Sequence, residues 1–224
     1  MSFVTKSVIL MLGGVNPAAY IAVNMTKSSD ILTRRQIIEA AEETLRRYGI
    51  GKTSVVDVAK VLGVSHGTLY RHFKSKAELL EAVTQTWLTE KILLPLSLMQ
   101  AEPDQHGIQH AKAYLWRLSE LKQEYARKDS ELFTMYAMIT ASSAQMINHH
   151  VDEMIAQLSQ ILSQSKFEQA TADSLARSLL YATTRFHHPS HAYEWSSSLL
   201  RQEFDTLWSM LERGLLSYSE ERRS

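Results

Sequence analysis

Apolar residues recur every three or four positions along most of the chain, so the pattern predicts helices almost throughout. The first clear start is Thr33-Arg-Arg-Gln36, a capping box in which the Thr hydroxyl and the Gln side chain each satisfy a free backbone N–H. Ile37, Ile38, Ala41, Leu45 and Tyr48 then share one helical face, and Gly49 ends the run. Ser54 caps a short second helix with Val55, Val58, Ala59 and Leu62 inward. Gly63 supplies a left-handed turn, and Ser65 opens a third helix with Leu69 and Phe73 inward. Ser75-Lys-Ala-Glu78 reads as another capping box, opening a long helix through Leu79, Leu80, Val83 and Trp87 that ends near Pro95.

The pattern continues after a composition break at "LMQAEPDQHG". Ala111, Tyr114, Leu115, Leu118, Leu121 and Tyr125 form one stripe. Residues 129–162 read as a shorter helix running into a longer one, and Thr171 and Asp173 start another that ends near "FHHPSH". Ser196–Ser198 precede a last helix with Leu199, Leu200, Phe204, Leu207, Trp208, Leu211 and Leu215. The expected fold class is therefore all-α: an N-terminal three-helix helix-turn-helix unit joined by a long helix to a larger helical domain. The expected boundaries are 1–24, 25–80 and 81–224.

Composition supports this reading. The chain is 45% hydrophobic and has eight Gly and four Pro in 224 residues, enough for a core and too few breakers for a turn-rich fold. It contains no cysteine, which excludes disulfides and thiolate chemistry and suits the cytoplasm. The net charge of zero hides an asymmetry. Residues 25–80 carry ten Lys/Arg against six Asp/Glu, and residues 81–224 carry thirteen against eighteen. A basic N-terminal third suits a polyanionic partner.

Residues 1–24 have a short apolar run broken at Gly13-Gly14, with no A-x-A cleavage site. They read as a flexible extension or an upstream start before Met25, dispensable for stability and binding. No segment reaches about 18 uninterrupted apolar residues, so no membrane partner is expected.

Two helices joined at Gly63 fit a helix-turn-helix, whose second helix enters the major groove with its first turns against base edges. The same spacing fits an ordinary helical hairpin with a solvated face. The segments "IIEAAEETLRRYG" and "TSVVDVAKVLGVSHGTLYRHFKSKAELLEAV" resolve the choice, because from about Thr33 to Trp87 they closely resemble the DNA-binding domain of TetR (tetracycline-repressor) family regulators. The resemblance implies that Arg34 and Ser54 touch phosphates, that Ser65, His66 and Gly67 lie in the first turn of the reading helix, and that Thr68 contacts base or phosphate. It likewise implies that Tyr70, Arg71 and His72 contact the backbone and that Lys76 meets phosphate at the start of the connecting helix. Many members carry Arg or Lys at the Val56 position and Lys at the His66 position, so family operator preferences do not transfer. Val56 touches a thymine methyl or simply packs.

Beyond Trp87 only the helix lengths and order resemble the family. That layout implies a ligand chamber between the middle helices. Its candidate walls are Tyr114, Trp116, Phe133, Tyr136, Met138, Met146 and Met154, with His110, Arg117, Asn148 and His149 as polar contacts. Met and aromatic residues at helical spacing also fit a plain core. The last two helices are expected to pair two copies through Leu179, Phe204, Trp208 and Leu211, unless Phe204 and Trp208 pack only within one chain.

His187, His188 and His191 lie close together but lack the nearby acids or cysteine of a typical metal site, and ordinary turn histidines are the better reading. No nucleophile elbow, phosphate loop or HExxH motif is present, and neither catalysis nor a cofactor is expected. The partners expected are operator DNA, a second copy and a small-molecule effector of unknown identity. The function expected is that of a ligand-released repressor. Control by a protein partner is the alternative within the same class, and a helical enzyme or adaptor the alternative outside it.

Overall fold

The computed structural model describes residues 32–99, 107–164 and 167–221. The 1–24 extension and most of the 98–107 linker lie outside the described residues. Among those described, every regular element is helical.

Three helices form the N-terminal unit: α1 (Arg34–Tyr48), α2 (Val55–Leu62) and α3 (His66–Tyr70). The caps fall where the sequence sets them. Thr33 and Gln36 form the expected capping box, and Ser54 makes a second one with Asp57. That pairing holds the Asp57 carboxyl below the usual range, chiefly through the Ser54 hydroxyl. Tyr48 departs from expectation: it is exposed rather than buried, lying in the last turn beside the Arg47 guanidinium.

α4 (Lys76–Leu88) leaves this unit and runs into the larger domain. Ser75 caps it, but Glu78 accepts from the Lys74 N–H instead of the Ser75 N–H, one residue further back than a capping box requires. The helix does not end near Pro95. A π turn at Thr89–Leu93 carries it into α5 (Leu94–Met99), with the Leu94 N–H reaching five residues back to Thr89. Proline lacks the N–H and crowds the carbonyl four residues before it; the wider π turn immediately upstream accommodates both.

The larger domain comprises α6 (Ile108–Lys128), α7 (Ser130–Ser142), α8 (Ala144–Ser163), α9 (Gln169–Ala182), the short α10 (Thr184–His187) and α11 (Leu200–Glu221). Its core is continuous with that of the N-terminal unit. Trp87 of α4 is fully buried and lies 5.5 Å from the Tyr125 ring and 5.4 Å from Tyr136. Arg46 of α1 reaches Asp129 at 3.1 Å. The two units therefore meet through a core aromatic cluster and an ion pair, so a shift in either is felt by the other.

The last helix corrects one expectation. Phe204 and Trp208 are buried within the single chain: the Phe204 ring lies 5.0 Å from Trp116 and 5.2 Å from Phe186. Leu179 is buried as well, and Leu211 is half-buried. Rings that dock α11 onto α6 and α10 are not available to a second copy. Large hydrophobic side chains left exposed on α11 and just before it include Leu199, Met210, Leu216 and Tyr218.

Candidate functional site

The helix-turn-helix is built from its turn. Gly63 has φ 64° and ψ 28°, the left-handed region where a Cβ is penalised. Its N–H closes α2, and the Val64 N–H bonds back to Ala59. Ala59 is fully buried, small enough for α2 and α3 to pack closely. Ser65 then caps α3 by accepting from the Thr68 N–H, and its hydroxyl lies 2.9 Å from that of Thr68. Leu69 and Phe73 anchor the inner face with no exposure.

The outer face presents His66, Gly67, Tyr70 and Arg71 to solvent, with Thr68 and His72 half-exposed. Gly67 is informative. A Cβ placed there would meet nothing nearer than the Ser65 hydroxyl at 3.9 Å. Glycine inside a helix costs up to about 1 kcal/mol relative to alanine, and the fold gives no reason to bear that cost.

The remaining sites expected to touch phosphate divide. Arg34 donates to the His72 carbonyl at 2.7 Å and lies over the Phe73 ring, 4.0 Å from its centroid, while Glu78 stands 3.6 Å away. Lys76 donates to the Ile50 carbonyl. Both cations thus fix the frame around α3. Ser54 caps α2 and is half-buried. Val56 is half-buried too. Between Gly49 and Ala77 the chain carries five Lys/Arg and one acid, Asp57, so this end is strongly basic.

The interior of the larger domain places the expected chamber residues differently from the sequence reading. His110, Tyr114, Phe133 and Tyr136 are core residues. The Tyr114 hydroxyl bonds to Gln157 at 3.0 Å, and burial pushes its pKa, like that of Tyr136, far up. Arg117 is half-exposed beside Glu120, Trp116 bonds Glu120 as well, and Met138 and Asn148 face solvent. Of the expected chamber residues, Met146 and His149 line a common cavity, which lies between α4 and α8. Its other walls are Gln85, Leu88, Thr89, Leu93, His150 and Glu153, and its cavity volume is about 120 Å³. Thr89 and Leu93 belong to the π turn, so the cavity abuts the irregular part of the connecting helix. A cleft continues from Gln85, Met146 and His149 to Arg34 and Glu78 in the N-terminal unit.

Sequence reasoning missed two buried polar side chains, Lys122 and His150, of which His150 lines this cavity. Lys122 is 1% exposed, and its ammonium has no hydrogen-bond partner. It stands over the Tyr136 ring, 4.0 Å from the centroid, and 5.8 Å from that of Trp87. Burial holds its pKa well below the lysine range. His150 is likewise buried with both ring nitrogens unpartnered, and burial followed by the charge of Lys122 holds it neutral. The signal was in the spacing: Lys122 extends the 111, 115, 118 stripe of α6, where a lysine is out of place.

The three clustered histidines have separate roles. His187 is buried with Nε2 3.2 Å from the Leu180 carbonyl, His188 bonds Ser190 at 2.7 Å, and His191 bonds Glu194 at 3.0 Å. Among the described residues no three metal-binding side chains converge. Burial lowers the His187 pKa to about 3. The unfolded chain binds a proton at this histidine below about pH 6.5, and the folded chain does not until about pH 3. Stability is therefore expected to fall as pH drops through that window. Replacing His187 with Gln should flatten the loss in urea titrations between pH 7 and 4, and an unchanged slope would refute the assignment.

Two family profiles match the chain. Residues 37–83 match bacterial regulatory proteins of the tetR family, and residues 109–208 match the tetracyclin repressor-like C-terminal domain. The chain belongs to the TetR family. The helix-turn-helix segment also matches curated regulators. Over 61 residues the chain is 44% identical to the HTH-type transcriptional regulator TtgR of Pseudomonas putida, 27% of this chain and 29% of that protein. Over 71 residues it is 32% identical to the probable acrEF/envCD operon repressor of Escherichia coli, 32% of this chain and 31% of that protein. The match thus spans less than a third of the length of these relatives.

Solved TetR-type structures share the fold across both units. SmeT, the repressor of the Stenotrophomonas maltophilia multidrug efflux pump SmeDEF, superposes with TM-score 0.55 at 18% identity, covering 82% of this chain and 90% of that one. FadR of Bacillus subtilis in complex with stearoyl-CoA gives TM-score 0.53 at 18% identity, covering 80% and 97%. Among the described residues no helix is long and apolar enough to cross a membrane.

Proposed function

We propose that this TetR-family chain is a transcriptional regulator that binds a palindromic operator as a homodimer and represses until a small molecule releases it. The observation that carries the reading is the outer face of α3: a capped helix aimed outward, with glycine at a position the fold leaves open. Its N-terminal turn offers His66 and Thr68 for base edges, and Tyr70, Arg71 and His72 lie along it for the sugar-phosphate backbone. Among its relatives and structural neighbours, a probable operon repressor and a regulator crystallised with stearoyl-CoA support repression and a small effector.

A dimer follows from what one reading helix can do. A five-residue helix spans few base pairs, and two copies must hold their helices about 34 Å apart to meet successive major grooves. The faces for pairing are the exposed sides of α9, which carries Tyr181, and of α11 and the residue before it, which carry Met210 and Leu199. α4 is the lever: it begins beside α3 and forms one wall of the cavity. A ligand that favours the wrong spacing by ~3 kcal/mol lowers operator affinity about a hundredfold, and operator lowers ligand affinity equally.

Selection of duplexes from a random pool tests the reading. The bound sequences should share a two-fold symmetric site, and log affinity should fall linearly with log salt. Binding without sequence preference, or none, would refute it.

A further inference from the structure

We infer that the cavity between α4 and α8 takes an effector with a carboxylate on an apolar body, the carboxylate meeting His150 with Lys122 as the charge behind it. This rests on the effector reading above and specifies its chemistry. Leu88, Leu93 and Met146 supply apolar wall, and the volume of about 120 Å³ admits an apolar group about the size of a benzene ring. In its wall His150 is 6% exposed with neither ring nitrogen bonded. Lys122 is buried within reach of the same imidazole electrostatically, and its three donors have no acceptor.

Buried polar groups are almost always paired, so an unpaired histidine in the cavity wall, with an unpaired lysine close enough to act on it, amounts to an unmet demand for an acceptor. Among the described residues no carboxylate forms an ion pair with Lys122. The titratable groups around it are His150 on α8, His187 at the end of α10, His188 just after it and Tyr136 on α7, none of them anionic at neutral pH. Glu153, the one acid in the cavity wall, is half-exposed and already paired with His149 at 3.4 Å. An anion supplied from outside completes the set. Its arrival favours the ammonium form of Lys122, which takes its proton from solvent.

Calorimetry on the full chain decides. Phenylacetate, 4-phenylbutyrate and decanoate are each titrated beside the matching primary amide, in two buffers of different ionisation heat. At least one acid should bind, at least about tenfold more tightly than its amide, with net proton uptake. Lys122→Met should bring acid and amide to about equal affinity, and His150→Leu should narrow the same ratio. Lys122→Met should also melt higher, since it removes an unpaired buried amine. Amides that bind as tightly as acids, no proton uptake, an acid preference that survives Lys122→Met, or no binding by any acid would each overturn the proposal. Operator titrations on the same samples separate this failure from that of the regulator itself. Intact operator binding leaves the regulator reading standing while the anion site falls.

Discussion

Replacing Gly67 with glutamate will abolish operator binding and leave the fold intact. The position is in α3, exposed, with no atom of the chain within 3.9 Å of a new Cβ. Helix propensity even favours the change by a few tenths of a kcal/mol or more. In the complex the same side chain would occupy the space between the reading helix and the groove and bring a negative charge among phosphates. Steric exclusion and repulsion together should exceed about 3 kcal/mol, at least a hundredfold in affinity. Gly67→Ala separates the two contributions, since it adds bulk without charge. Thermal unfolding and fluorescence anisotropy on a fixed duplex measure both sides. A Gly67→Glu protein with wild-type affinity would show that α3 does not enter the groove.

Trp87→Ala will be the most damaging core substitution among those that touch both units. The indole is fully buried and borders the Tyr125 and Tyr136 rings and the Lys122 ammonium. Truncation leaves a large void and removes aromatic contacts, costing about 3–5 kcal/mol. Against a total stability of roughly 5–15 kcal/mol, that is a large share. Since Trp87 is the point where α4 meets α6 and α7, the variant should also weaken any response of operator binding to ligands. Urea unfolding checks the first claim, and a loss under 1 kcal/mol would contradict the packing described.

The helix-turn-helix was legible from sequence because its determinants are local. A cap needs a hydroxyl three residues from a free N–H, and Thr33, Ser54 and Ser65 each supply one. The left-handed turn needs a residue without Cβ penalty, and Gly63 stands there. These relations reach no further than a few residues, so order along the chain suffices to find them. The same local chemistry gave the long connecting helix its start at Ser75, but not its continuation past Pro95, which depends on a π turn packed against the larger domain.

What tertiary structure decided is which neighbour each broad helical face meets. Phe204 and Trp208 look the same in sequence whether they face a second copy or their own chain, because periodicity marks a buried face without naming what buries it. Only the docking of α11 against Trp116 and Phe186 assigns them to the core. Arg34 and Lys76 look like free cations until the carbonyls of His72 and Ile50 arrive from elsewhere in the chain. Lys122 and His150 differ from ordinary surface residues only in that packing removes their water and supplies no partner. Sequence determined the helices and the reading element, whose forces act over one or two turns; the interior cavity and its unpaired cation exist only because distant helices converge.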